Sequence, residues 1–298
     1  MLKLLFKSLR KLNKLYGAYN TNSQTQVMLK MMYRDMRNLP LISLPSLGEV
    51  GFKCFSQFEE DGMLLYIFSL IGEKSKKVVE ICAGNGIECM GTNLIINHGW
   101  QGFLFDGDKK ALKTGRLFFQ NHPLTFVYPP VFKKAWITAE NINDILRKSL
   151  ILKESEVAEV DLFSLDVDGM DYWFWKYINA INPRVCIFET NNHIPSDLSL
   201  TAKYSPDFHY NWQDPKRSTG GEGYSGASLK AMVALCAEKG YRLIGAHQYG
   251  FNCIFMRNDV GNEYFPEVSI ESVHDNPYTK YCQTILWASE KTLPWQEI

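Results

Sequence analysis

Carboxylates are concentrated in one short stretch of the chain. Asp166, Asp168 and Asp171 follow one another closely at the end of a strand predicted over residues 160–167. Residues two apart in a strand point to the same face, so Asp166 and Asp168 should point the same way. Carboxylates so close together suit either the binding of a hard cation or proton transfer.

A second polar stretch, Glu189 to His193, follows the next predicted strand at 184–189. Carboxylate and amide oxygens are the ligands that Mg²⁺ or Mn²⁺ prefers, and the pattern predicts Asp168, Glu189 and Asn191 as metal ligands. His193 is a candidate general base because imidazole titrates near neutral pH. Asp168, Glu189 and His193 are therefore the candidate catalytic residues. A purely structural role for the acids, in capping and in bonding to neighbouring loops, remains an alternative.

Upstream, a strand predicted over residues 77–82 leads into a glycine-containing turn. Gly84 and Gly86 permit a tight turn and a close approach of the backbone to a ligand. A dinucleotide loop would have a third glycine where this chain has Cys89. Glu80 would repel a pyrophosphate but can neutralise the ammonium of a methionine moiety. Asp106, at the end of the next strand, is placed to accept the hydroxyls of a ribose.

These residues lie in a regular alternation of predicted elements. Strands are predicted over residues 77–82, 102–106, 125–128, 160–167, 184–189, 241–246 and 252–257, and helices over 25–36, 59–71, 88–98, 109–121, 138–149, 171–181 and 227–239. The alternation predicts a mostly parallel sheet with helices on both faces, and the last two strands form an antiparallel pair. Ligands bind such sheets at the carboxyl ends of the strands, where the acids and glycines meet.

Between residues 194 and 226 the chain has little periodicity and many aromatic side chains. Loops of this length inside a compact domain are usually lids or binding segments. The aromatic residues suit a sugar or another flat ligand.

The N-terminal segment differs from the rest. Residues 1–34 contain seven basic and no acidic side chains, which leaves 25 basic against 32 acidic in the remainder. Residues 1–16 predict a basic amphipathic helix, which either lies on an anionic membrane or packs on the body or a second subunit. The expected organisation is residues 1–50 as helices and linker and residues 51–298 as the catalytic domain.

The composition excludes several classes of protein. An acidic body is a poor nucleic-acid binder, so no nucleic-acid partner is expected. The seven cysteines are odd in number and have no CxxC spacing, which is typical of reduced cysteines in a cytoplasmic protein. Cys82, Cys186, Cys236 and Cys253 lie in apolar runs and are expected to be buried. No apolar run is long enough to span a membrane.

The sequence resembles the class I S-adenosylmethionine-dependent methyltransferases, and specifically their FkbM-type branch, over residues 55–260. The similar stretches are residues 57–62 (QFEEDG), 79–86 (VEICAGNG), 99–108 (GWQGFLFDGD), 136–143 (WITAENIN), 165–169 (LDVDG) and 187–191 (IFETN). The resemblance implies a Rossmann-like fold that binds S-adenosylmethionine. The residues it implies for this cofactor are Asp61, Glu80, Gly84, Gly86, Asp106, Asp108, Trp136 and Asp166.

The resemblance also implies O-methylation of a small-molecule or glycan-precursor hydroxyl, with Mg²⁺ or Mn²⁺ as an optional aid. Two other functions remain open. The chain could be an inactive scaffold of the same fold that recruits partners through its basic N-terminal helix, although acids at four strand ends argue against lost chemistry. It could also be a nicotinamide oxidoreductase, which Glu80 and the missing third glycine disfavour.

Overall fold

The computed structural model describes residues 23–298. A single mixed sheet of seven strands runs through the molecule in the order β3-β2-β1-β4-β5-β8-β7. The strands are β1 Lys77–Ile81, β2 Gln101–Asp106, β3 Val131–Lys134, β4 Ala158–Leu165, β5 Ile181–Glu189, β7 Tyr241–Ala246 and β8 Asn252–Arg257. All neighbours from β3 to β5 pair in parallel, and β8 pairs antiparallel with both β5 and β7.

Helices cover both faces of the sheet, as the side-chain alternation within the strands requires. They are α1 Ser23–Asp35, α2 Glu60–Ile71, α3 Thr92–His98, α4 Lys109–Asn121, α5 Ile142–Leu150, α6 Asp171–Tyr177, α7 Leu229–Glu238, α8 Ile270–His274, α9 Pro277–Tyr281 and α10 Trp287–Glu290. Val79 of β1 packs with α5, α6 and α7, whereas its neighbour Val78 packs with α2, α3 and α4. The predicted α/β fold with a C-terminal antiparallel pair is confirmed.

Some predicted elements were placed wrongly. Residues 125–128 form turns, and the edge strand is β3, which pairs with β2 further along the chain. The helix predicted over residues 138–149 begins at Ile142, because the Asn141 side chain accepts the Thr138 amide hydrogen at 2.9 Å and holds a turn ahead of the helix. Likewise α3 begins at Thr92 rather than at residue 88.

Short 3₁₀ turns connect α1 to the sheet domain, and α1 packs against α2 through Tyr33 and Tyr66, whose ring centroids are 4.9 Å apart. The basic helix predicted over residues 1–16 lies outside the described residues. Among residues 23–298, no helix is long and apolar enough to cross a bilayer.

The C-terminal segment returns to the carboxyl edge of the sheet. A two-stranded ladder joins β6 Leu200–Thr201 to β9 Gln296–Glu297. Helices α8, α9 and α10 precede this ladder. The ladder therefore ties the long segment after β5 to the C-terminal helices, and both border the same cleft.

Candidate active site

Three adjoining cavities lie at the carboxyl edge of the sheet. They have volumes of ≈ 800, ≈ 270 and ≈ 170 Å³ and are called here the wide, apolar and narrow cavities. Cys82, which follows β1, lines all three. Contrary to the expectation from its apolar run, Cys82 is exposed. The strand ends predicted to bind ligands therefore do meet around one opening.

The turn after β1 has the backbone conformation that its glycines predict. Cys82, Gly84 and Gly86 all have positive φ, at +61°, +55° and +68°. A Cβ on Gly86 would lie 2.7 Å from the Leu104 side chain, so this position is closed to larger residues. A Cβ on Gly84 would meet nothing within 4 Å, so the open side of the loop has room for a ligand. Cys82 keeps the left-handed turn without a glycine.

Asp106 fastens the glycine loop to β2. Its Oδ2 accepts the Gly84 amide hydrogen at 2.7 Å, and its Oδ1 accepts that of Asp108 at 2.6 Å. A carboxylate oxygen has two lone pairs, so each oxygen retains capacity for a further donor such as a ribose hydroxyl. Asp106 lines both the wide and the apolar cavity.

The apolar cavity lies between the ends of β1 and β2 and the segment after β3. Asp108 lines it and caps α4, with its Oδ1 accepting the Lys110 amide hydrogen at 2.7 Å. Trp136 is 66% exposed and covers Gly107, whose hypothetical Cβ would lie 3.4 Å from the indole. The remaining wall is mostly aliphatic and aromatic, which suits a flat heterocycle.

Glu80 lines the narrow cavity and is bonded to the backbone. Its two oxygens accept the amide hydrogens of Met90 and Gly91 at 2.9 and 3.1 Å. Burial raises the pKa of Glu80 to about 7, against the opposing effect of these two hydrogen bonds. Glu80 thus shapes the turn before α3 and also presents a carboxyl group to the cavity.

Asp61 is buried and does not line any of the three cavities. Its Oδ2 accepts three consecutive amide hydrogens, from Cys54, Phe55 and Ser56, at 2.5 to 2.8 Å. Burial raises the pKa of Asp61 to about 6. Asp61 fixes the loop that presents Gln57 to the wide and narrow cavities, and it gives no geometric support to direct cofactor binding.

The acids of the wide cavity form a compact cluster. Asp166, Asp168 and Glu189 each place a carboxylate oxygen within 4.8 Å of the others. Asp166 hydrogen-bonds to Glu189, and burial together with the neighbouring carboxyls raises the pKa of Glu189 well above its usual range. Asp171 is instead bonded to its own loop, accepting the amide hydrogens of Val167 and Gly169. Two carboxyls that share a proton indicate a place where positive charge is favourable.

The Asn191 side chain is hydrogen-bonded within its own loop. Its Oδ1 accepts the His193 amide hydrogen at 2.9 Å, and its Nδ2 donates to the Ser225 carbonyl at 2.8 Å. Because Oδ1 keeps a second lone pair, the ligand set of Asp168, Glu189 and Asn191 stays a prediction. Asp166 adds a further carboxyl group beside Asp168 and Glu189.

His193 has a partner that the sequence did not reveal. Its Nδ1 lies 2.9 Å from Oε2 of Glu290, a buried residue at the end of α10. His193 lines the wide cavity, so Nε2 is the ring nitrogen left for a ligand. A carboxylate on one nitrogen fixes the tautomer and the ring orientation, as in histidines that act as bases.

Aromatic rings form the remaining walls of the wide cavity. Tyr210 and Trp212 come from the long segment after β5, Phe251 from the turn before β8, and Tyr278 from α9. Trp212 is 70% exposed. The prediction of a binding segment at residues 194–226 identified the first two; no local signal marked Phe251 or Tyr278.

No protein-family model matches the chain, and no characterised protein matches it by sequence. Among solved structures, an O-methyltransferase from Bacillus cereus in complex with SAH is similar at 12% identity and a TM-score of 0.39, covering 78% of this chain and 89% of that one. Magnesium protoporphyrin IX methyltransferase from Synechocystis, with bound SAM, is similar at 11% identity and a TM-score of 0.35, covering 79% of each chain. Similarity at this level does not show a shared activity. The geometry and chemistry of the site are therefore the evidence for function.

Proposed function

We propose that the protein is an S-adenosylmethionine-dependent methyltransferase that acts on a hydroxyl group. The observation that carries the proposal is the meeting of three cavities at Cys82. Two of them suit the two ends of S-adenosylmethionine, and the third contains acids and a histidine. A methyl donor bound across the first two would have its reactive centre facing the third.

The donor fits the two smaller cavities by chemistry. The apolar cavity has a heterocycle-sized space beside the exposed Trp136, and Asp106 at its rim has spare acceptor capacity for the ribose hydroxyls. The narrow cavity contains Glu80, whose carboxyl can face the ammonium of the methionine part. The loop that follows β1 also leaves open space at Gly84. When bound, S-adenosylmethionine supplies an electrophilic methyl group.

The acceptor hydroxyl must lose a proton for this transfer. Nε2 of His193 is available to take it, because Glu290 engages Nδ1. A general base held in hydrogen-bond reach contributes about 10²- to 10⁴-fold to such a step. His193 and Glu290 therefore form the base of the proposed reaction.

A divalent cation is a second element of the proposal. The oxygens of Asp166, Asp168 and Glu189 are spaced for one hard cation, which would supply a Lewis acid that lowers the pKa of the acceptor hydroxyl. Without a cation, an alkoxide would form beside several carboxylates and be destabilised by them. The charge of the wall thus favours a metal-assisted reaction over one that relies on the base alone.

The first test is cofactor binding. We expect isothermal titration to show S-adenosylmethionine binding, with Asp106→Ala weakening it at least tenfold, because this change removes the fastening of the glycine loop and the acceptor for the ribose. Asp144→Ala, on the exposed surface of α5, is the matched control and should bind as the wild type does. Folded wild-type protein that binds NAD but neither S-adenosylmethionine nor its demethylated product would refute the proposal.

The second test is chelation. We expect methyl transfer to fall at least tenfold in EDTA and to recover with Mg²⁺ or Mn²⁺, whereas Asp168→Asn should lose this recovery. Calorimetry of Mn²⁺ with each protein gives a readout that does not depend on turnover. Unchanged activity in EDTA, with no Mn²⁺ binding, would leave the base-only reaction in its place.

A further inference from the structure

We propose that the acceptor is an uncharged, sugar-like polyol, and that phosphorylated and nucleotide-linked sugars are rejected. The inference rests on the proposed function and makes it more specific. A glycan precursor could carry hydroxyl groups alone or a phosphate group as well. The charge and the surface chemistry of the wide cavity support it independently of each other.

The wall of the wide cavity is one-sided in charge. Among the described residues, its lining includes six carboxyl groups and neither lysine nor arginine. The six are Glu88, Asp106, Asp166, Asp168, Asp171 and Glu189. Lys53 adjoins this lining from outside, where its ammonium donates to the Gln57 carbonyl and lies 3.9 Å from Glu88. A phosphate or diphosphate group would enter this field with no arginine or lysine in the wall to receive it, and Lys53 beside the wall is already engaged by Glu88 and the Gln57 carbonyl. Proteins bind phosphates mainly through free side chains of these two types.

A bound divalent cation would not reverse this charge. It would offset two of the negative charges, and the wall would stay acidic. Buried carboxyls that remain protonated reduce the repulsion but offer no cation to a phosphate. Like charges facing each other across a binding surface are a strong means of rejecting a wrong ligand.

The acidic wall also disfavours amines as methyl acceptors. It would attract an ammonium ion, but only the neutral amine has the lone pair that takes a methyl group. Neighbouring carboxylates favour the charged form of an amine, and thus its unreactive form. A hydroxyl is uncharged until it loses its proton, so it enters the cavity without either penalty.

The uncharged parts of the wall suit a polyol. Trp212 and Tyr278 are 70% and 41% exposed, and their ring faces can pack on the apolar C–H face of a sugar. Carboxylates around them accept hydrogen bonds from hydroxyls, which act as donors. The volume of ≈ 800 Å³ leaves space for more than one sugar ring.

The test compares matched acceptors. Neutral oligosaccharides of glucose, galactose, mannose, fucose and N-acetylglucosamine would be assayed beside the corresponding sugar phosphates, nucleoside-diphosphate sugars and amino sugars, with radiolabelled S-adenosylmethionine and Mg²⁺. We expect kcat/KM for at least one neutral saccharide to exceed that for its phosphorylated and amino counterparts at least tenfold. Thermal stabilisation by the same compounds, with S-adenosylhomocysteine present, provides a second readout.

A charge variant makes the test specific to the wall. Glu88→Lys should lower the ratio of kcat/KM for neutral sugars to kcat/KM for phosphorylated sugars. Glu154→Lys, an exposed change before β4, should leave this ratio unchanged. Preference for a phosphorylated or amino sugar, or no response to any neutral saccharide in either readout, would overturn the inference. Failure of the proposed function itself would be recognised separately, because the wild-type protein would then not bind S-adenosylhomocysteine.

Discussion

Carboxylates at the carboxyl edge of the sheet have two different roles, which can be distinguished by their hydrogen bonds. Asp61, Glu80 and Asp171 accept two or three backbone amide hydrogens each and fix the loops around the cleft. Asp166 and Glu189 bond mainly to each other, which leaves them available to a ligand. A carboxylate that satisfies several buried amide groups is costly to replace even where it touches no ligand.

The pairing of His193 with Glu290 leads to a prediction about rate. His193→Ala should lower kcat by about 10²- to 10⁴-fold, because the proton then has no acceptor. Glu290→Gln should lower kcat about tenfold, since an amide holds the ring less well. The dissociation constant of S-adenosylmethionine, measured by calorimetry, should change less than about twofold in either variant.

A double variant distinguishes a positioning role for Glu290 from an independent one. If Glu290 acts through His193, the protein with both changes should be no slower than His193→Ala alone. Glu271→Gln, an exposed change on α8, serves as the control. Rate losses that multiply in the double variant would contradict the pairing as a functional unit.

Prediction of site residues from the sequence succeeded where those residues directly follow a predicted strand. The acids at the ends of β1, β2, β4 and β5 all line the cavities, because strand ends in a parallel sheet share one edge. Asn191 as a metal ligand stays a prediction, and its side chain also forms an Asx turn with His193. Sequence reasoning missed Glu290, which is 97 residues away from His193 and follows no strand.

At the edge of the sheet opposite the cleft, a buried ion pair holds β4, β5 and α2 together. Nη1 of Arg184 on β5 lies 2.8 Å from Oδ1 of Asp161 on β4, and both side chains are at most 4% exposed. Arg184 also donates to the carbonyls of Ile71 and Gly72 at the end of α2, and Asp161 accepts the amide hydrogens of Lys74 and Lys76. The pair thus joins two strands to the helix that precedes β1.

Removing one member of this pair should be strongly destabilising. Arg184→Met leaves a buried carboxylate without its cation, and we expect about 3–5 kcal/mol less free energy of unfolding in urea. The double change Arg184→Met with Asp161→Leu should cost less than the sum of the two single changes. Glu159→Gln weakens only rim contacts, with Arg257 and Asn182, and should cost less than about 1 kcal/mol. Equal losses for the buried and rim changes would contradict this account.

Element boundaries were predicted well where apolar periodicity continues to the end of the element, as in α4 and the β7–β8 pair. They were wrong where a side chain replaces a backbone partner, as Asn141 does ahead of α5. The edge strand β3 was misplaced because an edge strand buries few residues, and Phe132 alone gives it a core side chain. Such positions are decided by tertiary contacts rather than by local propensity.

At the scale of the whole molecule, three histidines are removed from water to different degrees: His247 and His274 are buried and His98 is half-buried. Burial lowers the pKa of His98 to about 4, of His247 to about 3 and of His274 to about 4. A histidine that is neutral when folded must gain a proton on unfolding below its usual pKa of 6.5. Its contribution to stability is therefore present above pH 6.5 and is lost as the pH falls towards the folded pKa.

This linkage predicts acid sensitivity. Between pH 6.5 and 4, each such histidine should reduce the free energy of unfolding by about 1.4 kcal/mol per pH unit. His247→Phe keeps a ring against Phe58 and Phe251 and removes one titrating group. Urea unfolding at several pH values should show a shallower slope for this variant and the wild-type slope for His209→Gln, an exposed change. Identical slopes for all three proteins would exclude His247 as a source of acid sensitivity.

The fold class could be predicted, because seven strands that mostly alternate with helices, the last two as an antiparallel pair, leave few arrangements of a twisted sheet. The strand order itself was not predicted. The C-terminal segment could not be predicted either. Its helices are short, and its contacts reach back across most of the domain to the segment after β5. Patterns that depend on contacts so distant in sequence leave no periodic signal within the segment itself.

The position of Glu290 has a consequence for biosynthesis. The residues that line the apolar and narrow cavities all precede residue 209, but the His193 ring gains its carboxylate only after α10 has emerged from the ribosome. A chain terminated before α10 would thus carry the cavities proposed for the methyl donor without the histidine–carboxylate pair proposed for the base. In the proposed reaction, the base is completed late in translation, by a residue 97 positions beyond the histidine.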